Sequence, residues 1–185
     1  QGEQVTLISR GYGSRGGPND EALELAARLP DVPQLQNADR VAAARLALEE
    51  NSRQVLLLDD AFQHRRIARD LDIVLIDASE SKLALRLLPG GLLREPFSSL
   101  RRAQVVIFSR CDQATEQAIA DLTKRVLCHN PQALIAHASH RPARVDEYPS
   151  SSVSLADLKG KRALAFCAIG SPASFFATLA SLGIT

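Results

Sequence analysis

At 185 residues the chain has room for one domain, or for one domain and part of a second. Apolar residues make up 45% of it and aromatics only 4%, so the core has to be built from Leu, Val, Ile and Ala. The 22 basic and 21 acidic side chains are well mixed and leave a net charge of +1, which gives no bulk electrostatic case for nucleic acid. No apolar run approaches the roughly 18 residues that span a bilayer, and no signal peptide is visible. Cys111, Cys128 and Cys167 are odd in number and lack metal-ligand spacing, which argues against zinc and fits a reducing, cytosolic setting. The chain has no Met and starts at Gln1, and it is read as an internal piece of a longer protein.

A first strand is predicted over residues 5–9. Behind it, Gly11, Gly13 and Gly16 match G-x-G-x-x-G, which suggests a dinucleotide site. Pro18 and Asn19, however, place the helix start after the third glycine, so a pyrophosphate would not meet the helix N-terminus. The better description is a glycine-rich loop carrying Arg10 and Arg15, able to close over an anionic ligand. A helix is predicted over 20–29, with Asn19 or Asp20 as its cap, Leu25 and Leu29 on one face and Pro30 as its stop. Asp20 reads equally as a capping acid or as a general base at a sheet edge. A second helix over 39–50 aligns Val41, Ala44 and Leu48. Arg40 opens it, an unfavourable place for a cation unless an anion lies nearby.

The stretch VLLLDDAFQHRR at 55–66 is the most informative. A buried strand over 55–59 that ends in Asp59 and Asp60 puts fixed negative charge at the carboxyl edge of a sheet, where α/β proteins hold a metal ion and the phosphates it neutralises. Acids also follow strands simply because the chain reaches solvent there. Gln63, His64 and Arg65, within one helical turn of those acids, bring donors suited to phosphate or a sugar hydroxyl, or else form an ordinary polar turn.

Further strands are predicted over 73–77, 105–109, 134–137 and 163–168, and helices over 113–127 and 172–182. Residues 89–96 form a loop ending near Arg94 and Glu95, which read as a contact for a sugar or phosphate, or as a local ion pair. Residues 140–152, with Pro142 and Pro149, look like a linker. The alternation of strand and helix implies an α/β fold with a mostly parallel sheet covered by helices on both faces. No G-x-x-x-x-G-K-[ST] occurs, so a phosphate-cradling loop is missing from these residues.

Taken together, LISRGYG at 7–13, NDEA at 19–22, DDAFQHRR at 59–66, LLPGGLLREP at 87–96 and AIGSPASFF at 168–176 resemble the tetraacyldisaccharide 4'-kinase family of lipid A synthesis. The resemblance runs over nearly the whole chain. It implies a P-loop kinase fold that moves the γ-phosphoryl group of ATP, with Mg²⁺, to the 4'-hydroxyl of a lipid disaccharide 1-phosphate. It also implies work at the cytoplasmic face of the inner membrane as a peripheral monomer, with no protein partner and no nucleic acid.

Residues 1–155 would be the core of the kinase domain and 156–185 the start of a truncated C-terminal part. Asp59 and Asp60 take the metal-binding positions, and Asp20 that of the base for the acceptor hydroxyl. With His64 added, the expected catalytic set is Asp20, Asp60 and His64; the expected substrate contacts are Arg10, Arg40, Gln63, Arg94 and Glu95. Several family elements are expected outside these residues: the glycine loop before Gln1, an N-terminal membrane-associating helix, and a D-H-H-x-Y element beyond Thr185. The fragment alone is therefore expected to be inactive. Within the chain, Leu83-Ala84-Leu85 replaces a G-N-G turn, and Ala61 replaces a Gly, a mild change if its φ is negative. The alternatives are another P-loop kinase or NTPase with a soluble acceptor, and a non-catalytic dinucleotide-binding module using Gly11 to Gly16.

Overall fold

A computed structural model describes residues 4–11, 18–50, 54–80, 85–147 and 151–184. The chain divides into two compact units, Gln1–Asp70 and Leu71–Thr185.

The first unit alternates β1 (Gln4–Ser9), α1 (Asp20–Arg28), β2 (Gln34–Gln36), α2 (Arg40–Glu50) and β3 (Gln54–Leu58). The strands are all parallel in the order β2-β1-β3, with Val5 opposite Val55 and Leu7 opposite both Leu57 and Gln34. As the central strand, β1 buries Thr6, Leu7 and Ile8. Ile8 packs on Ala43 and Ala44 of α2, with Leu35, Leu56, Leu58 and Ile67 around them. The predicted α2 stripe of Val41, Ala44 and Leu48 is therefore rotated: Ala43, Ala44 and Ala47 are buried, and Leu46 and Leu48 stand about half exposed. Alanines carry too little side chain to hold a helix off a sheet, so the small face docks. β2 escapes a reading by apolar runs because Leu35 is its one apolar residue.

In the second unit, β4 (Ile73–Asp77), β5 (Val105–Ser109) and β6 (Leu134–His137) form another parallel sheet in sequence order. Val106 and Phe108 of β5 are fully buried, as is Val126 of α3 (Glu116–His129). The helix expected over 113–127 starts later because Cys111–Gln113 forms a 3₁₀ turn and the Thr115 hydroxyl caps α3, accepting from Ala118 N at 3.2 Å. Another 3₁₀ segment, Phe97–Arg102, is tied to the end of α3: Asn130 Nδ2 donates to Leu100 O at 3.0 Å and to Ala103 O at 2.8 Å.

The stretch read as a linker contains an antiparallel pair, β7 (Val145–Glu147) and β8 (Ser151–Val153). α4 spans Pro172–Ser181. The strand expected over 163–168 does not form; Leu164 is 95% and Phe166 88% exposed. An apolar run becomes a strand only when a neighbour completes its ladder, and none of the described strands pairs with it.

Helix cover is uneven. Val55 and Leu57 of β3, and Ile73 and Leu75 of β4, leave alternate positions of those strands exposed. The three cysteines are free, and among the described residues no helix is long and apolar enough to cross a membrane.

Candidate active site

The carboxyl ends of β1, β2 and β3 form one edge of the first sheet, and most of the expected site residues are placed along it. β1 runs out through Ser9 into Arg10, which is exposed, and Gly11. Gly11 has φ +70°, which favours glycine, and a Cβ there would stand a tight 3.2 Å from Gln36 Cβ, so Gln36 would have to give way. Gln36, at the end of β2, donates through Nε2 to Asn19 Oδ1 at 2.8 Å and to Ser9 Oγ at 3.5 Å. Asn19 Oδ1 also caps α1 by accepting from Ala22 N at 3.0 Å. The start of α1 is thereby pinned to the ends of β1 and β2. Of the two possible caps it is Asn19 that acts, which leaves the Asp20 carboxylate, exposed on the first turn, outside the capping bond. Because α1 begins at Asp20, its N-terminus lies beyond Gly16 and not at the third glycine, where a dinucleotide fingerprint would put it. Residues 12–17 lie outside the described residues.

β3 ends at Leu58, but the Asp59 N–H still bonds Ile8 O at 2.9 Å, which holds Asp59 in register at the edge. Asp60 then takes φ +48°, a left-handed conformation that Asp tolerates better than most residues, and the chain leaves the sheet. Both aspartates are exposed. Ala61 is buried and is not among the positive-φ residues, so its replacement of glycine is mild.

A tight turn follows, with the His64 N–H on Ala61 O at 2.8 Å and the Arg65 N–H on Gln63 O at 3.0 Å. It half-buries Gln63 and His64, and leaves Gln63 Oε1 and His64 Nε2 buried with no hydrogen-bond partner among the described residues. A buried polar atom without a partner costs about 1–3 kcal/mol, so two on one short turn mark a place where a ligand's polar groups are expected.

The start of α2 adds two groups. Asp39 Oδ1 accepts from Val41 N at 3.0 Å and Ala42 N at 3.2 Å. Its carboxyl is held below the usual carboxylate range, first by the Ala42 N–H and further by the Val41 N–H and the positive charges of Arg66 and His64, against some loss of hydration. That influence brings the turn after β3 to the head of α2. Arg40, expected to contact substrate, is buried: Nη1 donates to Ala38 O at 3.4 Å, and Nε is buried with no hydrogen-bond partner among the described residues. Asp39, counted as helical from the sequence, is instead the α2 cap. Its signal was present, since an acid just before an apolar helical stretch is a common cap.

In the second unit Arg94 is exposed and Glu95 half-buried. Glu95 pairs with Arg102 of the 3₁₀ segment, its Oε2 2.8 Å from Nη2. The altered turn at residues 83–85 lies outside the described residues up to residue 84. The edge of this sheet carries its own ion pair, missed from the sequence, between Asp77 at the end of β4 and Arg110 just after β5.

A parallel sheet with acids at its carboxyl edge and helices rising from that edge places the chain among the α/β proteins with the P-loop kinase fold. More narrowly, the chain belongs to the tetraacyldisaccharide-1-P 4'-kinase family, LpxK, whose model matches residues 1–185. A tetraacyldisaccharide 4'-kinase of Anaeromyxobacter sp. (strain Fw109-5) is 38% identical over 201 residues, covering 99% of this chain and 54% of the relative. The Geobacter metallireducens protein of the same name is 34% identical, covering 100% of this chain and 57% of the relative. A crystal structure of LpxK from Aquifex aeolicus in complex with ATP superposes with a TM-score of 0.65 at 28% identity, covering 99% of this chain and 59% of that one. The chain spans about half the length of the curated relatives it matches.

Proposed function

We propose that the intact protein transfers the γ-phosphoryl group of ATP to the 4'-hydroxyl of a tetraacyldisaccharide 1-phosphate, a step of lipid A synthesis. Family membership supports the reaction, and the relative solved with ATP supports the donor. The observation that carries the reading is the first sheet's edge, where two exposed aspartates lead into a turn whose Gln63 Oε1 and His64 Nε2 are buried with no partner among the described residues.

Asp59 and Asp60 fit Mg²⁺, which prefers one or two carboxylates and fills its remaining positions with water and phosphate oxygens. Bound there, the ion would neutralise charge on the transferring phosphate. Asp20 accepts the proton of the acceptor hydroxyl, a role open to it because Asn19 does the capping. Gln63 and His64 hold polar groups of the substrates, and Arg10, beside Gly11, draws in phosphate. Arg40, with its buried Nε, and Arg94 and Glu95 contribute to substrate binding. Phosphoryl transfer needs alignment and charge neutralisation more than covalent help, so such a set suffices.

The protein acts as a monomer bound peripherally at the cytoplasmic face of the inner membrane. Release from membranes by salt or alkaline carbonate, and a monomer mass by light scattering, check that part. For the reaction, the full-length protein is incubated with Mg²⁺, ATP labelled at its γ-phosphate and the tetraacyldisaccharide 1-phosphate in detergent. Label is expected on the 4' position of the lipid. Failure to label it, with ATP bound, would exclude this acceptor; NADH binding without ATP binding would favour the dinucleotide module.

A further inference from the structure

The loop over residues 59–70 carries Asp59, Asp60, Gln63 and His64, yet it has no helix or strand of its own. Its start is held by the Asp59 N–H on Ile8 O and by the burial of Ala61. Farther on, Ile67 packs against Ile8, Ala43 and Ala44. Between these anchors no hydrogen bond from the described residues aims Gln63 Oε1 or His64 Nε2. Their directions are set by the backbone at 63 and 64, and that backbone is gripped by a residue that the sequence did not single out.

Arg69, half-buried, folds back so that a single nitrogen, Nη1, donates to His64 O at 2.7 Å and to Ile67 O at 3.1 Å. Hydrogen bonds from a charged donor are shorter and stronger than neutral ones, and a planar guanidinium loses little freedom in making them. Two carbonyls three residues apart are thus tied to one rigid group, which closes the turn behind the imidazole.

We propose that Arg69 is a positioning residue of the phosphoryl-transfer site: by clamping the carbonyl oxygens of His64 and Ile67, it fixes the loop that aims His64 Nε2 and Gln63 Oε1. Its rate readout rests on the kinase reading above; its spectroscopic readout rests on the loop geometry alone.

The test uses the full-length protein with Arg69→Met, which removes both donors at similar bulk, and Arg69→Lys, whose ammonium can still reach the carbonyls. Misplacement on the order of 1 Å is costly in such sites, so R69M is expected to lower kcat about 10- to 100-fold. KM for ATP and for the lipid should rise by less than kcat falls, because Gln63 and His64 are still present to hold the substrates and what is lost is mainly their alignment. R69K should recover most of the rate. The imidazole signals of His64, assigned by their loss in His64→Gln, should shift in R69M and return towards wild type in R69K. Rates are taken well below each variant's unfolding midpoint, so that lost fold is not counted as lost chemistry. If R69M does not fold, Arg69→Gln, able to keep one bond, replaces it and should fall between the other two.

An unchanged kcat, an unmoved His64 signal, or a loss that lysine does not relieve overturns the proposal. If the wild-type protein transfers no phosphate, the kinase reading fails, and the His64 signal still decides whether Arg69 sets that loop.

Discussion

The carboxyl edges of the two sheets are built alike and finished differently. In each, the chain leaves a parallel strand through a non-glycine residue in the left-handed region: Asp60 at φ +48° after β3, Arg110 at φ +53° after β5. At the second edge most polar groups take one another, although Arg110 Nε is also buried with no hydrogen-bond partner among the described residues. Asp77 takes the Arg110 guanidinium, the Ser79 N–H at 2.9 Å and the Ser79 hydroxyl at 2.6 Å, and Asp112 takes the His140 N–H at 3.0 Å. At the first edge Gln63 Oε1 and His64 Nε2 are buried with no partner among the described residues, and Asp59 and Asp60 are exposed. The same backbone device therefore serves closure in one unit and an open, polar turn in the other. Strain at a strand end marks a place worth inspecting, and the state of the polar groups around it says which use is made of it.

If the first edge is the reacting one, its acids should matter for rate and hardly for stability. Asp59→Ala and Asp60→Asn in the full-length protein are expected to lower Mg²⁺-dependent turnover about a thousandfold, the scale of losing a charge-stabilising group. Asn is the right probe at position 60 because it tolerates the left-handed region as Asp does, so the backbone is left alone. Denaturant midpoints should move little, since both side chains are exposed and Asn keeps the shape of Asp at position 60. A variant that keeps most of its rate loses its metal assignment. Asp20→Asn should likewise cut kcat while leaving ATP affinity nearly intact, which calorimetry and steady-state rates together would show.

How much of this could be read from the residues depends on how local the cause is. The strands at 73–77, 105–109 and 134–137 lie where their short apolar, partly β-branched runs put them, because such a run bounded by polar residues leaves a one-dimensional mark even where Ile73, Leu75 and Leu134 stand exposed. Asp59 and Asp60 were legible for the same reason, as acids ending such a run. β2 was not, since Gln-Leu-Gln is made a strand by its neighbour β1 and not by its own composition. The run at 163–168 shows the converse, with strand-like residues and no ladder to join. The Asp77–Arg110 pair joins residues 33 apart, and the Arg69 clamp acts on carbonyls that every residue possesses, so neither leaves a pattern in one sequence.

The second edge should answer in stability and not in rate. Removing one member of a mostly buried ion pair strands the other, so Asp77→Ala is expected to destabilise by about 1–3 kcal/mol in urea unfolding, with Arg110 and Ser79 left unsatisfied. Arg110→Gly removes the charge together with the left-handed penalty, itself about 1–2 kcal/mol, and should therefore cost less than Asp77→Ala. Turnover per folded molecule should be close to wild type in both. The reverse order of the two stabilities would mean that the αL conformation is not strained at Arg110.

The smallest effect separates a cap from a charge at the first edge. The Asp39 carboxyl lies below its ordinary value because the Ala42 N–H, the Val41 N–H, Arg66 and His64 favour its ionised form in the folded chain. A lowered folded value means that the unfolded chain takes up a proton first as pH falls. The stabilisation is thus complete above the ordinary carboxylate value and disappears as pH drops through the folded one. Asp39→Asn keeps an amide oxygen for the α2 cap and has no charge to lose. Its urea midpoint should lie slightly below wild type at neutral pH, where Arg66 loses its anionic neighbour. The two should converge on acidification below about pH 4, the range in which an ordinary Asp is protonated. Asp39→Ala, without the cap, should stay lower than Asp39→Asn throughout. Parallel curves for wild type and Asp39→Asn, with no convergence in acid, would show that Asp39 serves α2 as a cap alone and that the positive groups on the turn after β3 do not reach it.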